Sequence, residues 1–269
     1  MRRVLTVVVA ISAALAFAGC DSTKTGAQAP SVPSSPAPSA SPSASPSPSP
    51  SLSPSPSPTP TQTPTKAVPQ KLKVGAKGAA VLALQQRLTE LGYWNGKADG
   101  NFGGTTQQAV FAVQKAAGLG RDGVVGPKTQ KALDQGVRPK ARSKAGSGHL
   151  IEINLAKQLL MIVDDGRVTT ILNTSTGSNQ HYEYQGETFL ADTPSGHFTV
   201  GRQIDGWRHG PLGPLWRPKY FNGGIAVHGA PSVPPYPASH GCARVSVSAM
   251  NWIWSAGKLP LKTKVWVYA

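Results

Sequence analysis

The sequence predicts a mostly β domain with one helix, preceded by a small three-helix module and, ahead of both, a stretch that builds no core. Three observations predict it. Of the 25 prolines, 14 lie between Pro30 and Pro69, in Ser-Pro and Thr-Pro alternation with almost nothing apolar to bury. From Ala79 onward apolar residues recur at intervals of three and four, the period of a helix face. After residue 148 the texture changes to short runs rich in Ile, Leu and Val separated by turn residues, the pattern of strands. About 200 residues remain for globular structure, enough for one ordinary core and a small module. Collagen, coiled coil and membrane channel are excluded.

Residues 1–20 begin with Arg2-Arg3, continue as an apolar run from Val4 to Phe17 and end in Ala18-Gly19-Cys20. That run is short for a bilayer span and reads as an export signal. Its end resembles the lipobox of bacterial lipoproteins, which implies a lipid on Cys20 and a membrane anchor; an ordinary secretory signal with an incidental cysteine is the alternative. Residues 21–69 are expected to be a disordered, partly polyproline tether.

In the module, residues 70–136, the spacing Val81, Leu84, Leu88, Leu91 marks one helix, and Gly92 ends it. A pattern then appears twice, twenty-three residues apart: Asp99-Gly100, Gly103, Thr106, Ala109 and Asp122-Gly123, Gly126, Thr129, Ala132. Each copy reads as a turn feeding a helix, with Gly supplying positive φ and Pro127 at a first helical position. Residues 137–148 are basic, Gly-containing and without periodicity, a second linker. Two linkers imply two independent units.

In residues 149–269, Leu150–Ile153 and Gln158–Val163 read as strands, and Asp164-Asp165-Gly166 as a hairpin turn into Val168–Leu172. Phe198–Val200, Ile225–Val227 and Val265–Tyr268 are β-rich, and Ser246–Trp254 is the one good helix. Trp207, Trp216 and Tyr220, among Gly-Pro turns, form either a flap or part of the core.

Lys and Arg number 27 against 12 Asp and Glu, a net charge of +15. Such a charge attracts polyanions generally, but no zinc finger, RNA-recognition signature or Arg-rich helix accompanies it, so nucleic acid is not the expected partner. An anionic wall or membrane surface serves equally well.

Catalytic residue types concentrate at Ile225-Ala226-Val227-His228-Gly229 and Ser239-His240-Gly241-Cys242-Ala243-Arg244. If Cys20 carries lipid, Cys242 is the one remaining thiol and has no disulfide partner. A thiol becomes a nucleophile when a nearby base takes its proton and a third group holds that base in the right tautomer. His228 suits the base, the Gly229 carbonyl the orienting group, and glycine at 241 lets the backbone N–H groups of Gly241 and Cys242 approach an oxyanion. A zinc site from His228, His240 and Cys242 is the competing chemistry; a non-catalytic wall-binding lipoprotein is a third. No cofactor or metal is expected.

The spelling Ser-His-Gly-Cys-x-Arg, with His-Gly fourteen residues before the cysteine, resembles the signature of YkuD-type L,D-transpeptidases. Ile151-x-Ile153-Asn154, Ser175-Thr176-Gly177 and Thr193-Pro194-Ser195-Gly196-x-Phe198 extend the resemblance over residues 149–269. It implies a β-sandwich with one helix, Cys242 as acyl-forming nucleophile, His228 as its base oriented by the Gly229 carbonyl, and His240 and Gly241 lining the site. Ser239 and Arg244 are implied to support the cysteine loop or hold charged groups of the donor. The implied reaction joins peptidoglycan stem peptides, with water as an alternative acceptor. Residues 72–135, through Leu84-Gln85, Leu91-Gly92-Tyr93 and the two Asp-Gly copies, resemble the small peptidoglycan-binding domain of wall hydrolases, with Tyr93 and Trp94 as sugar contacts or core. The implied location is extracytoplasmic, on a membrane facing the wall.

Overall fold

The computed structural model of the protein describes residues 71–269; the export signal, Cys20 and the tether over 21–69 lie outside the described residues. Three helices come first: α1 (Ala79–Glu90), α2 (Gly104–Ala116) and α3 (Pro127–Asp134). Gly92 at φ +78° lets the chain reverse at the end of α1, where its N–H bonds Thr89 O and that of Tyr93 bonds Leu88 O. Only a residue at ease in the left-handed region closes a helix this way.

The repeated turns are each locked by a buried glutamine. The Gln85 amide donates to Asp99 Oδ1 (2.9 Å), Asn101 O (3.1 Å) and Thr106 Oγ1 (3.0 Å), and its carbonyl accepts from the Asp99 and Gly100 N–H groups. Gln114 repeats this on the second copy, bonding Asp122 Oδ1 (2.6 Å), Val124 O (3.1 Å), Thr129 Oγ1 (3.2 Å) and the Gly123 N–H (2.9 Å). The repeated Asp, Gly and Thr positions are therefore the partners of one amide each. Gln114→Leu strips those partners while keeping volume, and is expected to cost about 2–3 kcal/mol, since a buried polar group left unpaired loses its full desolvation penalty. A lower urea midpoint at unchanged slope is the signature to look for; an unmoved midpoint refutes the lock.

The rest is mostly β. One five-stranded sheet runs in the order β3 (Arg167–Asn173), β2 (Leu159–Asp164), β1 (His149–Asn154), β12 (Lys264–Tyr268), β6 (Gly196–Thr199). Its β2–β3 hairpin turns at Asp165-Gly166, both with positive φ (48° and 74°), the turn that matches strand twist. The second sheet runs β11 (Ala243–Ser246), β10 (Ile225–Ala230), β9 (Gly213–Asn222), β7 (Arg202–Gln203), with β8 (Trp207–Gly210) also on β9. A separate hairpin joins β4 (His181–Tyr184) to β5 (Glu187–Leu190). The helix α4 (Val247–Ser255) starts at Ser246, whose hydroxyl accepts from the Ala249 N–H. Ile151, Ile153 and Val265 from the first sheet, Val227 and Val245 from the second, and Met250 and Ile253 from α4 bury one core.

The helices are not a free-standing module. Leu159 and Ile171 of the first sheet, both 0% exposed, lie in the same apolar cluster as Leu88, Tyr93 and Val110. Trp94 N–H bonds Ile171 O (3.0 Å), Ile171 N–H bonds Gly92 O (2.8 Å), and the Trp94 ring meets Trp252 of α4 at 5.7 Å. Tyr93 is buried with its hydroxyl on Val137 O (2.8 Å). Of the two readings of these aromatics, sugar contact and core, Tyr93 takes the core, while Trp94 is half-buried against Trp252. The two parts share this cluster because large rings next to an apolar strand bury more surface together than either does alone.

Residues 137–148 hold no helix or strand, yet they are pinned. The fully buried Glu152 carboxylate accepts from the Arg142 N–H, the Ser143 N–H and hydroxyl, and Tyr268 Oη. The Arg142 guanidinium stacks over Tyr268 at 4.8 Å.

Candidate active site

β10 is buried along most of its length between β9 and β11. Its pairing with β9 slips between Val227 and Gly229, which places His228 at an irregularity of the ladder; such bulges re-aim side chains beside active sites. His228 Nδ1 lies 2.9 Å from Gly229 O. A carbonyl only accepts, so Nδ1 carries the proton and Nε2 keeps a free lone pair. Position 229 admits only glycine, because a Cβ there stands 2.9 Å from the Trp216 ring and 3.0 Å from Met250. Burial, working against the Gly229 bond, pulls the His228 pKa down to about 4.

Cys242 lies directly ahead of β11, whose Arg244 pairs with His228 in parallel register. The turn before it is bracketed by one hydroxyl: Ser239 Oγ donates to Cys242 O (2.6 Å) and accepts from the Gly241 N–H (3.0 Å). That bond takes up the Gly241 N–H, one of the two oxyanion donors expected from sequence. Gly241 sits at φ +136°, and a Cβ on it meets Asp192 O at 2.7 Å. Thr193 Oγ1 donates to Gly241 O (2.6 Å) and accepts from the Gly177 N–H (2.9 Å), so the Ser175-Thr176-Gly177 and Thr193-Pro194 segments cradle the cysteine turn. Cys242 is half-buried, its Sγ 3.8 Å from Gly224 O. Burial pushes the thiol up from its ordinary value, opposed by a bond to Ala226 and by the Arg244 charge.

His228, Ser239, His240, Cys242 and Arg244 all line one cleft of about 710 Å³. His240 is exposed, its ring edge-on to Tyr182 of the β4–β5 hairpin at 4.8 Å. The β8–β9 hairpin supplies the opposite wall, including Arg208 and Leu212. Trp207 is 45% exposed and Tyr220 is 7% exposed, so the flap and core readings each hold for part of that stretch. Arg202, Arg208 and Arg244 line the cleft and no Asp or Glu does, so its charged side chains are of the kind that pairs with carboxylates. Tyr182, Arg202, Arg208 and Thr193 were not singled out as site residues from sequence; of these only Thr193, within a quoted motif, carried a signal. Among the described residues no three His, Cys, Asp or Glu side chains converge as a metal-ligand set does.

A cysteine after a Gly turn and a histidine tied to its neighbour's carbonyl thus line one cleft beside the second sheet, and comparison with known proteins gives the class of this fold. Residues 148–267 match the L,D-transpeptidase catalytic domain family and residues 77–133 the peptidoglycan binding domain family. The crystal structure of the L,D-transpeptidase (residues 123–326) from Xylanimonas cellulosilytica DSM 15894 is 55% identical, with a TM-score of 0.72, over 76% of this chain and 100% of that one. The chain belongs to the L,D-transpeptidase family. N-acetylmuramoyl-L-alanine amidase CwlL of Bacillus licheniformis is 47% identical over 78 residues, 28% of this chain and 22% of the amidase. CwlM, an amidase of Mycobacterium tuberculosis, is 39% identical over 74 residues, 28% of this chain and 18% of its own. The chain thus spans about a fifth of the length of the curated relatives it matches.

Proposed function

We propose that this protein joins peptidoglycan stem peptides by L,D-transpeptidation through an acyl-enzyme on Cys242. The observation that carries the reading is the Nδ1–Gly229 bond, which leaves His228 Nε2 unprotonated in the cleft that the thiol lines. His228 takes the thiol proton as sulfur attacks the carbonyl of the third residue of a donor tetrapeptide. The Cys242 N–H serves the oxyanion, and Ser239 holds the turn that aims it. The imidazolium then protonates the departing D-Ala amine, leaving a thioester. An amine of a second stem, deprotonated by His228, attacks the thioester; the cross-link forms and the thiol is restored. Water in place of the amine gives carboxypeptidation. Arg202, Arg208 and Arg244 hold the stem's carboxylates. The helical unit contacts the wall, and a lipid on Cys20 would tether the chain to the outer face of the membrane.

Incubating the protein with muropeptide monomers tests the reading: dimers, with release of D-Ala, are expected, and unchanged monomers overturn it. The pKa directions add a second test. Burial holds the His228 imidazole neutral down to about pH 4 and pushes the Cys242 thiol up, both of which favour an uncharged resting pair. Activity should fall as pH drops through about 4, where Nε2 becomes protonated. Alkylation of Cys242 by iodoacetamide should be slow at neutral pH and rise only on the alkaline side of the ordinary thiol range. Fast, pH-independent alkylation near neutrality indicates a preformed ion pair instead.

A further inference from the structure

Lys115, in the last turn of α2, is 2% exposed. Its Nζ donates to Gln158 O (2.9 Å), Thr174 O (2.9 Å) and Asn173 Oδ1. Those are three acceptors for the three N–H bonds of an ammonium, and no carboxylate is among them. Burial and the Arg121 charge pull the Lys115 pKa downward, but three oxygens accept from Nζ, and only the ammonium has an N–H bond for each, so they offset the cost of keeping a cation here. Gln158 presents its carbonyl from φ +58°, the left-handed region, which costs a residue other than glycine roughly 1 kcal/mol or more. A lysine at the end of an amphipathic helix normally reaches solvent. This one enters the sheet instead.

Every acceptor leads on to the cysteine turn. The Gln158 side chain clamps Thr176 from both sides, donating to Thr176 Oγ1 (2.7 Å) and accepting from Thr176 N–H (2.9 Å). Thr176 O then accepts from the Ala238 and Ser239 N–H groups (3.0 and 2.9 Å). Thr174 Oγ1 donates to Arg244 O (2.8 Å), and Ser175 exchanges two backbone bonds with Arg244. Asn173 Nδ2 donates to Gln108 Oε1 (2.6 Å), and Gln108 Nε2 to Val233 O (3.1 Å). Arg121, just past α2, donates to Pro235 O (2.8 Å). Three side chains of the helical unit thus hold both segments that flank Ser239 and Cys242.

We infer that Lys115 is a positioning residue for the catalytic turn: through Gln158, Asn173 and Thr174 the helical unit sets the geometry of residues 231–242 and with it the reactivity of Cys242. The statement rests on Cys242 being the nucleophile. It adds that the peptidoglycan-binding domain acts in the chemical step as well as in contact with the wall.

The test compares the full-length parent with Lys115→Met, Arg121→Ala and, as a control, Val81→Ala, which removes buried methyls from α1. Hydrogen exchange at the Ala238, Ser239 and Gly241 amides and the rate of Cys242 acylation by a carbapenem are followed per folded molecule. Lys115→Met should exchange those amides about ten-fold faster and acylate about ten-fold more slowly, the effect of losing roughly one net hydrogen bond of restraint. Arg121→Ala should move both in the same direction by less, and it decides the matter if Lys115→Met does not fold. Val81→Ala should lower the denaturation midpoint and leave both rates alone. Unchanged exchange in Lys115→Met and Arg121→Ala, or equal acceleration in Val81→Ala, overturns the inference. A parent that is not acylated at all overturns the reading of Cys242 as nucleophile, and the exchange rates still decide whether Lys115 orders the turn.

Discussion

Cys242→Ala should lower cross-link formation by roughly four orders of magnitude or more, the scale on which loss of a covalent nucleophile registers. The argument is local. Sγ is the one thiol among the described residues, and the turn that carries it is held by Ser239, Thr193 and the Gly241 backbone rather than by sulfur. Alanine therefore removes the reacting atom and leaves its frame, so binding of stem peptides in the cleft should persist while turnover disappears. Mass analysis of muropeptide products together with binding of the same muropeptides separates the two. Residual cross-linking within a factor of about ten of the parent would mean that no covalent step limits the reaction.

Removing residues 71–148 should prevent the rest of the chain from folding as a soluble domain. Leu159 and Ile171, each 0% exposed, lose their cover with the helices, and exposing two such side chains costs about 3–6 kcal/mol. Asn173, Thr174 and Gln158 lose the Lys115 ammonium as well, and the Glu152 carboxylate loses the Arg142 and Ser143 donors. Those losses are comparable with the roughly 5–15 kcal/mol that holds a typical domain together. Far-UV circular dichroism and size-exclusion of the truncated chain check this; a monodisperse, folded 149–269 fragment with muropeptide turnover refutes it.

The local part of the fold was legible. α1 and α4, the β1–β3 meander, β6, β10 and β12 were readable from apolar runs or periods bounded by turns and caps, and α2 and α3 from the repeated Asp-Gly turn ahead of each. The β4–β5 hairpin was not, since β5 is exposed at all four residues and so shows no buried face to alternate. β9 was hidden by Pro214 and Pro218, which read as turns although the strand runs ten residues. At the site, His228, Gly229, Ser239, Gly241 and Cys242 sit in two short motifs that chemistry recognises. Arg202 and Arg208 carry no such spelling; only the path of the second sheet brings them to the cleft. Nor does Lys115 differ from any surface lysine until the strand it meets is known. Contacts between distant segments were what the sequence concealed, and they are what joins the two parts of the molecule.

The glutamine locks of the helical unit look alike, yet they are built on loops of different length. Gln85 stands 14 residues before its aspartate and Gln114 only 8 before its own. The first copy is thus longer by 14 minus 8, six residues, and within that interval lie Gly92, Tyr93 and Trp94, the residues that bond to Ile171 and stack on Trp252. A near-symmetric repeat becomes one-sided through that difference in length: both copies fold a turn, but only the first has extra residues whose backbone pairs with Ile171, while the second reaches the sheet through the Lys115 side chain. Trimming the first loop to the length of the second would remove the bonds to Ile171 together with Tyr93, a core residue of the unit itself, and leave Lys115 and Arg121 as the remaining ties. Attachment is thus divided between the backbone of one copy and a side chain of the other, and in the first copy it is shared with the residues that close the unit's own core.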